Sequence, residues 1–135
     1  MYCGPQEHLY GAGLYTFADI QVCLQVDQQN VMDVNLKKDR VTYWWGGAWY
    51  NATPAYEASF RTDVSVSESG QKVFETYGGS RIDSRSSEGI IASSKIPGCG
   101  FYSVTLTYDQ TGPYWGEDRK ISFGPKSYDI TVPCP

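Results

Sequence analysis

Strict alternation of apolar and polar residues is the feature that most constrains how this chain can fold. Across 56–67, the even positions are Tyr, Ala, Phe, Thr, Val and Val, whereas every odd position is polar. A period of two residues places successive side chains on opposite faces of a β-strand, so that one face is buried and the other meets solvent. The same alternation recurs in the segments 32–36, 101–109 and 128–132.

The chain is therefore predicted to be all-β. Turn-forming residues separate the alternating segments at intervals of roughly 8–12 residues, which is typical of sandwiches and barrels. No long stretch shows the helical period of about 3.6 residues. We predict about nine strands, at 8–16, 18–26, 31–37, 40–50, 56–67, 72–77, 89–94, 101–109 and 119–132, the last of them broken at Gly124-Pro125.

Short polar segments are expected to connect these strands. Turns are predicted at 27–30, 37–40 and 51–54, and the Ser-rich segment 78–88 is predicted to be a loop. The chain has 135 residues, which is close to the commonest size of one domain. We therefore predict a single domain over 1–135 that folds as an immunoglobulin-like, Greek-key antiparallel β-sandwich.

Four cysteines predict two disulfides, and they permit three pairings. Cys23 alternates with the apolar residues of 20–26, so it points away from the core, and we pair it with Cys3 on the N-terminal segment. Cys99 then pairs with Cys134 and ties a Pro-Gly-Cys-Gly turn to the C-terminal tail. Because that turn differs from the strand position of an antibody cysteine, the antibody disulfide is not predicted.

Disulfides persist in oxidising compartments, so the protein is predicted to be secreted. Met1 is expected to be a start residue placed before a mature secreted chain, because no signal peptide precedes it. The net charge is −4 and no run of Lys or Arg occurs, which disfavours nucleic acid and anionic membranes as partners. No apolar stretch approaches the ~18 residues of a membrane span.

The sequence offers little of the chemistry that an enzyme needs. The single histidine, His8, has no nucleophile or orienting carboxylate that the sequence can assign to it, so it is interpreted as an exposed residue at a strand edge. The carboxylates Glu57 and Asp63 lie on the polar face of a predicted strand. No C-x-x-C pair suits zinc, and no calcium-loop motif occurs. We predict a protein that is not an enzyme and has no metal or cofactor.

The segment 43–50, which reads Tyr-Trp-Trp-Gly-Gly-Ala-Trp-Tyr, is the most unusual in the chain. On a continuous strand, Tyr43, Trp45 and Trp49 would share one face, and Trp44 and Tyr50 the other. Gly46-Gly47 indicates a bulge or a close backbone approach. Two interpretations remain open: a central strand buried on both sides, or a flat aromatic platform that stacks on sugar rings or anchors a protein partner.

A second aromatic pair, Tyr114 and Trp115, lies in a predicted loop between 110 and 119. Side chains at loop tips seldom reach a core, so this pair is the preferred contact surface. The candidate binding residues are Tyr114, Trp115, Trp49, Trp44 and Tyr50. The Gly-rich segment 2–15 is a candidate edge for pairing with a strand of another chain, although it equally suits an ordinary blunted edge.

The segments 20–26, 43–50 and 100–104 resemble small secreted immunoglobulin-like β-sandwich proteins of actinobacteria. The resemblance rests on strand patterning and cysteine placement over most of the chain, and it transfers no catalytic residue. Some such proteins act as adaptors in extracellular toxin particles, and others bind surfaces or polysaccharide. The resemblance therefore implies a non-catalytic secreted module.

Three functions are considered on these grounds. The first is a protein-interaction module that serves as an adaptor or subunit of an extracellular assembly. The alternatives are a carbohydrate-binding module with an aromatic platform, which would take polysaccharide, and an inhibitor of a secreted hydrolase that presents the predicted loop 78–88.

Overall fold

The computed structural model describes residues 1–113 and 120–134, and these form strands and one short 3-10 helix at Ala12–Leu14. The ten strands are β1 (Tyr2–Cys3), β2 (Glu7–Tyr10), β3 (Thr16–Val26), β4 (Val31–Trp45), β5 (Ala48–Asn51), β6 (Ala58–Glu68), β7 (Gln71–Ile82), β8 (Ser87–Lys95), β9 (Gly100–Thr111) and β10 (Lys120–Val132).

The strands make two antiparallel sheets that face each other, which confirms the predicted all-β sandwich. In the first sheet, β1 and β2 pair with one side of β3, β4 pairs with the other side, and β5 and β8 pair with the far side of β4. The second sheet has the order β10-β9-β6-β7. None of the helices in the described residues is long and apolar enough to cross a lipid bilayer.

The core lies between the sheets and is built by the alternating residues. In β6, Ala58, Phe60, Val64 and Val66 are buried as the period of two predicts, whereas Tyr56 precedes the strand and is 41% exposed. The facing layer of the first sheet is aliphatic and includes Ile20, Val22, Leu24, Met32, Val34 and Leu36. The same alternation therefore determines which side chains both sheets contribute to one apolar interior.

Strand β4 corrects the predicted boundaries of the first sheet. The turn predicted at 37–40 is wrong, because β4 continues for 15 residues. A β-bulge lies there instead: Asp39 pairs with Asp19 and Thr42 with Phe17, so one strand has an extra residue, and Arg40 takes a positive φ of 48°. The extra residue reverses the alternation, so that Leu36 faces the core before the bulge and Val41 after it.

Two other predicted segments also differ. The strand predicted at 8–16 ends at Tyr10, because Gly13 and Leu14 adopt positive φ values and the chain turns before β3 begins. The loop predicted at 78–88 is mostly strand, since pairing with β6 extends β7 to Ile82 and β8 begins at Ser87. The surface loop that suggested an inhibitor is therefore reduced to residues 83–86.

Both predicted disulfides are confirmed. Cys3 and Cys23 bridge the neighbouring strands β1 and β3, and Cys23 is fully buried on the side of the sheet away from the core. Cys99 and Cys134 join the segment before β9 to the segment after β10. Two such bridges are typical of an oxidising, extracellular environment.

Lys38 places a charged side chain on the core face. Lys38 is 6% exposed, and its Nζ lies 4.3 Å from the ring centroid of Phe60 on the opposite sheet. The one hydrogen-bond acceptor found for it in the described residues is the carbonyl oxygen of Leu36, at 3.5 Å. Burial lowers the pKa of Lys38, because the charged form loses hydration that these contacts do not restore.

Candidate functional site

The tryptophan-rich segment forms a tight β-hairpin between β4 and β5. Its two-residue turn is Gly46-Gly47, with φ values of 57° and 92°. Positive φ at both positions is the geometry of hairpin turns that match strand twist, and glycine adopts it without steric cost. The predicted bulge or close backbone approach is wrong, because a Cβ on either glycine would have no neighbour within 4 Å. A Gly-Gly pair between two aromatic runs is the signal that predicts this turn.

The hairpin brings together aromatic side chains that a continuous strand over 43–50 would keep apart. Trp44 pairs with Trp49, and their rings pack edge to face with centroids 5.7 Å apart. Tyr43 pairs with Tyr50 on the opposite face, and these rings stack with centroids 5.7 Å apart. The prediction that Trp49 shares a face with Tyr43 is therefore wrong, because the turn between the strands reset the alternation.

The proposal of a central strand buried on both sides does not describe this hairpin. Trp49 is 45% exposed and Tyr50 is 47% exposed, whereas Trp44 is partly buried beneath its partner. Tyr43 belongs to the core. The other two candidate binding residues, Tyr114 and Trp115, lie outside the described residues.

Exposed aromatic side chains concentrate at the end of the sandwich that carries this hairpin. The chain before β3 meets the hairpin there, since the Trp44 N–H donates to the Tyr15 carbonyl at 2.8 Å. Tyr56, on the segment before β6, lies beside Tyr43. We call this surface the aromatic end, and its exposed members are Tyr10, Tyr15, Trp45, Trp49, Tyr50 and Tyr56.

A groove crosses the outer face of the first sheet beside the hairpin. Four residues that pair in sequence across β2, β3, β4 and β5 form a row along it: Tyr10, Phe17, Thr42 and Asn51. The groove has a volume of about 420 Å³. We call it the outer groove, and its lining residues are Tyr10, Phe17, Arg40, Thr42, Trp49, Asn51 and Arg85.

The bulge in β4 positions Arg40 at one side of the groove. Its Nε donates to Asp19 Oδ2 at 2.6 Å and its Nη2 donates to Asp19 Oδ1 at 3.3 Å. The guanidinium also lies 4.5 Å from the ring centroid of Phe17. Asp19 is buried, and its hydrogen bond and charge raise the pKa of Arg40. The guanidinium is therefore held in one orientation by the strand beneath it.

The same buried carboxylate also holds His8. Asp19 Oδ1 lies 2.6 Å from His8 Nδ1, and the histidine side chain is 57% exposed. The sequence predicted the exposure of His8 but not its carboxylate partner, because the two residues meet only through the pairing of β2 with β3. No hydrogen bond to His8 from a Ser, Thr or Cys side chain is found among the described residues.

Arg85 reaches the groove from the short loop between β7 and β8. Its carbonyl accepts a hydrogen bond from the Val41 N–H at 3.0 Å, and the hydroxyl of Ser86 donates to the carboxylate of Asp39. That hydrogen bond, with another from the Arg40 backbone N–H, lowers the pKa of Asp39. These hydrogen bonds anchor the loop to the bulge and fix the position of the Arg85 backbone beside the groove.

No group of three or more potential metal ligands occurs among residues 1–113 and 120–134. Comparison with protein-family models, curated proteins and solved structures found no match to this chain. The candidate site is therefore described by its own geometry: an aromatic hairpin beside a groove that carries two arginines.

Proposed function

We propose that this protein is a secreted, non-catalytic interaction module, an adaptor or subunit of an extracellular assembly, that contacts a protein partner through the aromatic end. The observation that carries the proposal is the concentration of half-exposed aromatic side chains at one end of the sandwich. Contiguous exposed apolar surface is uncommon on soluble monomers and marks contact surfaces.

The hairpin suits such a contact energetically. Tryptophan and tyrosine supply most of the binding energy in many protein interfaces, because they bury a large area with few rotatable bonds. Trp49 is braced by Trp44, and Tyr50 is braced by Tyr43. Side chains that are already ordered lose less conformational entropy on binding, so more of the contact energy appears as affinity.

The test is capture of a partner with matched aromatic variants. The tagged protein serves as bait in culture supernatant of its source, alongside Trp49→Ala/Tyr50→Ala and a control variant, Tyr77→Ala/Phe101→Ala. The control side chains are 72% and 78% exposed but lie on the second sheet, away from the hairpin. A captured protein is then purified and its affinity measured by calorimetry.

We expect one partner to be retained by the wild type and by the control, and to be lost by the hairpin variant. The affinity of the hairpin variant should fall at least about 30-fold, since central aromatic residues of an interface contribute about 2 kcal/mol or more. Equal binding by all three proteins, or no partner at all, would contradict the proposal.

A second candidate function, carbohydrate binding, is supported by the outer groove. The groove combines the exposed rings of Tyr10 and Trp49 with the hydroxyl of Thr42 and the amide of Asn51. Apolar ring faces beside hydrogen-bonding groups match the two kinds of surface that a sugar ring presents. A glycan array tests this candidate, with Trp49→Ala as the variant that should lose binding.

A further inference from the structure

The outer groove is positively charged in an acidic protein. Among residues 1–113 and 120–134, its charged lining residues are Arg40 and Arg85 and no carboxylate lines it, although the chain has 15 acidic residues against 11 Lys and Arg. Asp19 lies buried beneath Arg40 and does not line the groove. A ligand in the groove therefore meets guanidinium groups, which prefer carboxylate, sulfate or phosphate oxygens.

The two arginines have different roles. Arg40 uses its Nε and one Nη2 hydrogen on Asp19, so it is already paired. Arg85 is exposed and makes no ion pair with another described residue. Asp39 is near enough to interact with Arg85 electrostatically, but its carboxylate already accepts hydrogen bonds from Ser86 and from the backbone of Arg40. Within the described lining, Arg85 is thus the cation available to a ligand.

The groove also presents aromatic surface. Trp49 is 45% exposed, and Tyr10 is 55% exposed and packs edge to face on Phe17 with centroids 4.7 Å apart. Thr42 and Asn51 lie in the same row as Tyr10 and Phe17 and add polar groups to the lining. A ring of sugar size can therefore stack on an indole while its polar substituents face an amide, a hydroxyl and a guanidinium.

The backbone beneath the groove argues against an extended peptide as the ligand. Peptides that add to a sheet need free backbone N–H and C=O groups at its edge. Strands β3 and β4 form the floor, and each is paired on both sides here, so among the described strands the unpaired edges belong to β2 and β5 at the two ends of the groove. The floor therefore offers side chains to a ligand, and side-chain recognition suits a sugar.

We propose that the outer groove binds an anionic sugar unit of an extracellular polysaccharide, with its carboxylate or sulfate on Arg85 and its ring face on Trp49. This inference rests on the carbohydrate-binding candidate function and names its ligand class. A uronate and a sulfated sugar present the same anionic oxygens to a guanidinium, so the experiment separates them.

The test is calorimetric titration of the intact protein with four probes of matched length: an oligogalacturonate, a sulfated oligosaccharide, a neutral oligosaccharide and oligoglutamate. The variants are Arg85→Gln and Trp49→Ala. The control is Arg61→Gln, which changes another exposed arginine that lies beside an aromatic ring, Tyr77, on the second sheet. Circular dichroism confirms that each variant folds.

We expect one of the two anionic sugars to bind at least about tenfold more tightly than the neutral sugar, because a hydrogen bond to a charged group contributes that much. Arg85→Gln should remove this preference, Trp49→Ala should weaken both sugars, and Arg61→Gln should change neither. The preference should also weaken as salt is added.

Four results would overturn the inference: equal affinity for neutral and anionic sugars, an unchanged preference in Arg85→Gln, oligoglutamate binding as tightly as the best sugar, or no sugar binding. The last result leaves the protein-interaction proposal standing if a partner is captured through Trp49 and Tyr50. Failure of the wild type to capture any partner, with sugar binding retained, would overturn that proposal and leave this one intact.

Discussion

Removing the two disulfides separately should reveal how much each one stabilises the sandwich. A cross-link stabilises a fold mainly by reducing the conformational entropy of the unfolded chain, and the effect grows with the length of the closed loop. The Cys3–Cys23 pair is separated by 20 residues and the Cys99–Cys134 pair by 35. The chain-entropy relation then assigns about 3.3 kcal/mol to the first bridge and about 3.8 kcal/mol to the second.

The two contributions should add. The loops 3–23 and 99–134 do not overlap in sequence, so each restricts a different part of the unfolded chain. Their sum of about 7 kcal/mol is comparable to the whole stability of a typical domain, which is about 5–15 kcal/mol. The protein without either bridge is therefore expected to be marginally stable or unfolded at room temperature.

The assay is denaturant unfolding of the wild type, Cys3→Ala/Cys23→Ala, Cys99→Ala/Cys134→Ala and the variant lacking all four cysteines, followed by tryptophan fluorescence. Hydrogen exchange adds a local readout. The Gly4 N–H bonds to the Val22 carbonyl at 3.0 Å, on the segment that β1 and its disulfide hold against β3. Only the variants without the first bridge should lose protection of that amide.

Losses below about 1 kcal/mol for each pair would refute the entropic reasoning. A second refuting result would be a loss of Gly4 protection in Cys99→Ala/Cys134→Ala while that variant stays folded. The Cys3–Cys23 bridge would then be insufficient to hold the N-terminal strand against β3.

Three further predictions concern the buried charges and the hairpin. Lys38→Met should raise the free energy of unfolding by about 1 kcal/mol near neutral pH, because it removes a buried amine that has no carboxylate partner among the described residues. Burial lowers the pKa of Lys38 in the folded state. The wild type should therefore become more stable as the pH rises from that pKa to the pKa of the unfolded state. Denaturation at several pH values should show that the stability advantage of Lys38→Met shrinks over this range. Asp19→Ala should lower the free energy of unfolding in urea by about 1–2 kcal/mol, because His8 and Arg40 both lose the buried carboxylate that they contact; an unchanged value would show that the cluster contributes little. Gly47→Val should lower stability by about 1–3 kcal/mol because of its positive φ, whereas Gly46→Asn should be nearly neutral, and equal thermal unfolding of the two variants would contradict the turn assignment.

Much of the fold was predictable because alternation is a local property. In β6 the period of two is uninterrupted, and it correctly identified Phe60, Val64 and Val66 as core. The position of Cys23 within an alternating run likewise predicted that it points away from the core and pairs with Cys3. These predictions needed only the directions of side chains along one strand.

The path of β4 was not predictable in this way. Its polar residues at 37–40 have the composition of a turn, yet the strand continues because β3 on one side and β8 on the other supply hydrogen-bonding partners. The bulge at Arg40 reverses the alternation along β4. Such a reversal can be recognised only from the pairing, in which two residues of β4 lie opposite one residue of β3. Pairing with neighbouring strands overrode local composition here.

The amino-acid sequence by itself determined the all-β class, the alternating core of each sheet and the two disulfides. Each follows from the periodicity of the side chains or from the position of a cysteine within that alternation. Only the tertiary structure decided the candidate site. Trp44 meets Trp49 through a hairpin turn, Asp19 meets His8 and Arg40 across two strand pairings, and Arg85 arrives from a distant loop. The register between strands determines which of these side chains contact each other. Register depends on turns and bulges, and a shift of one residue moves every later side chain to the opposite face of the sheet.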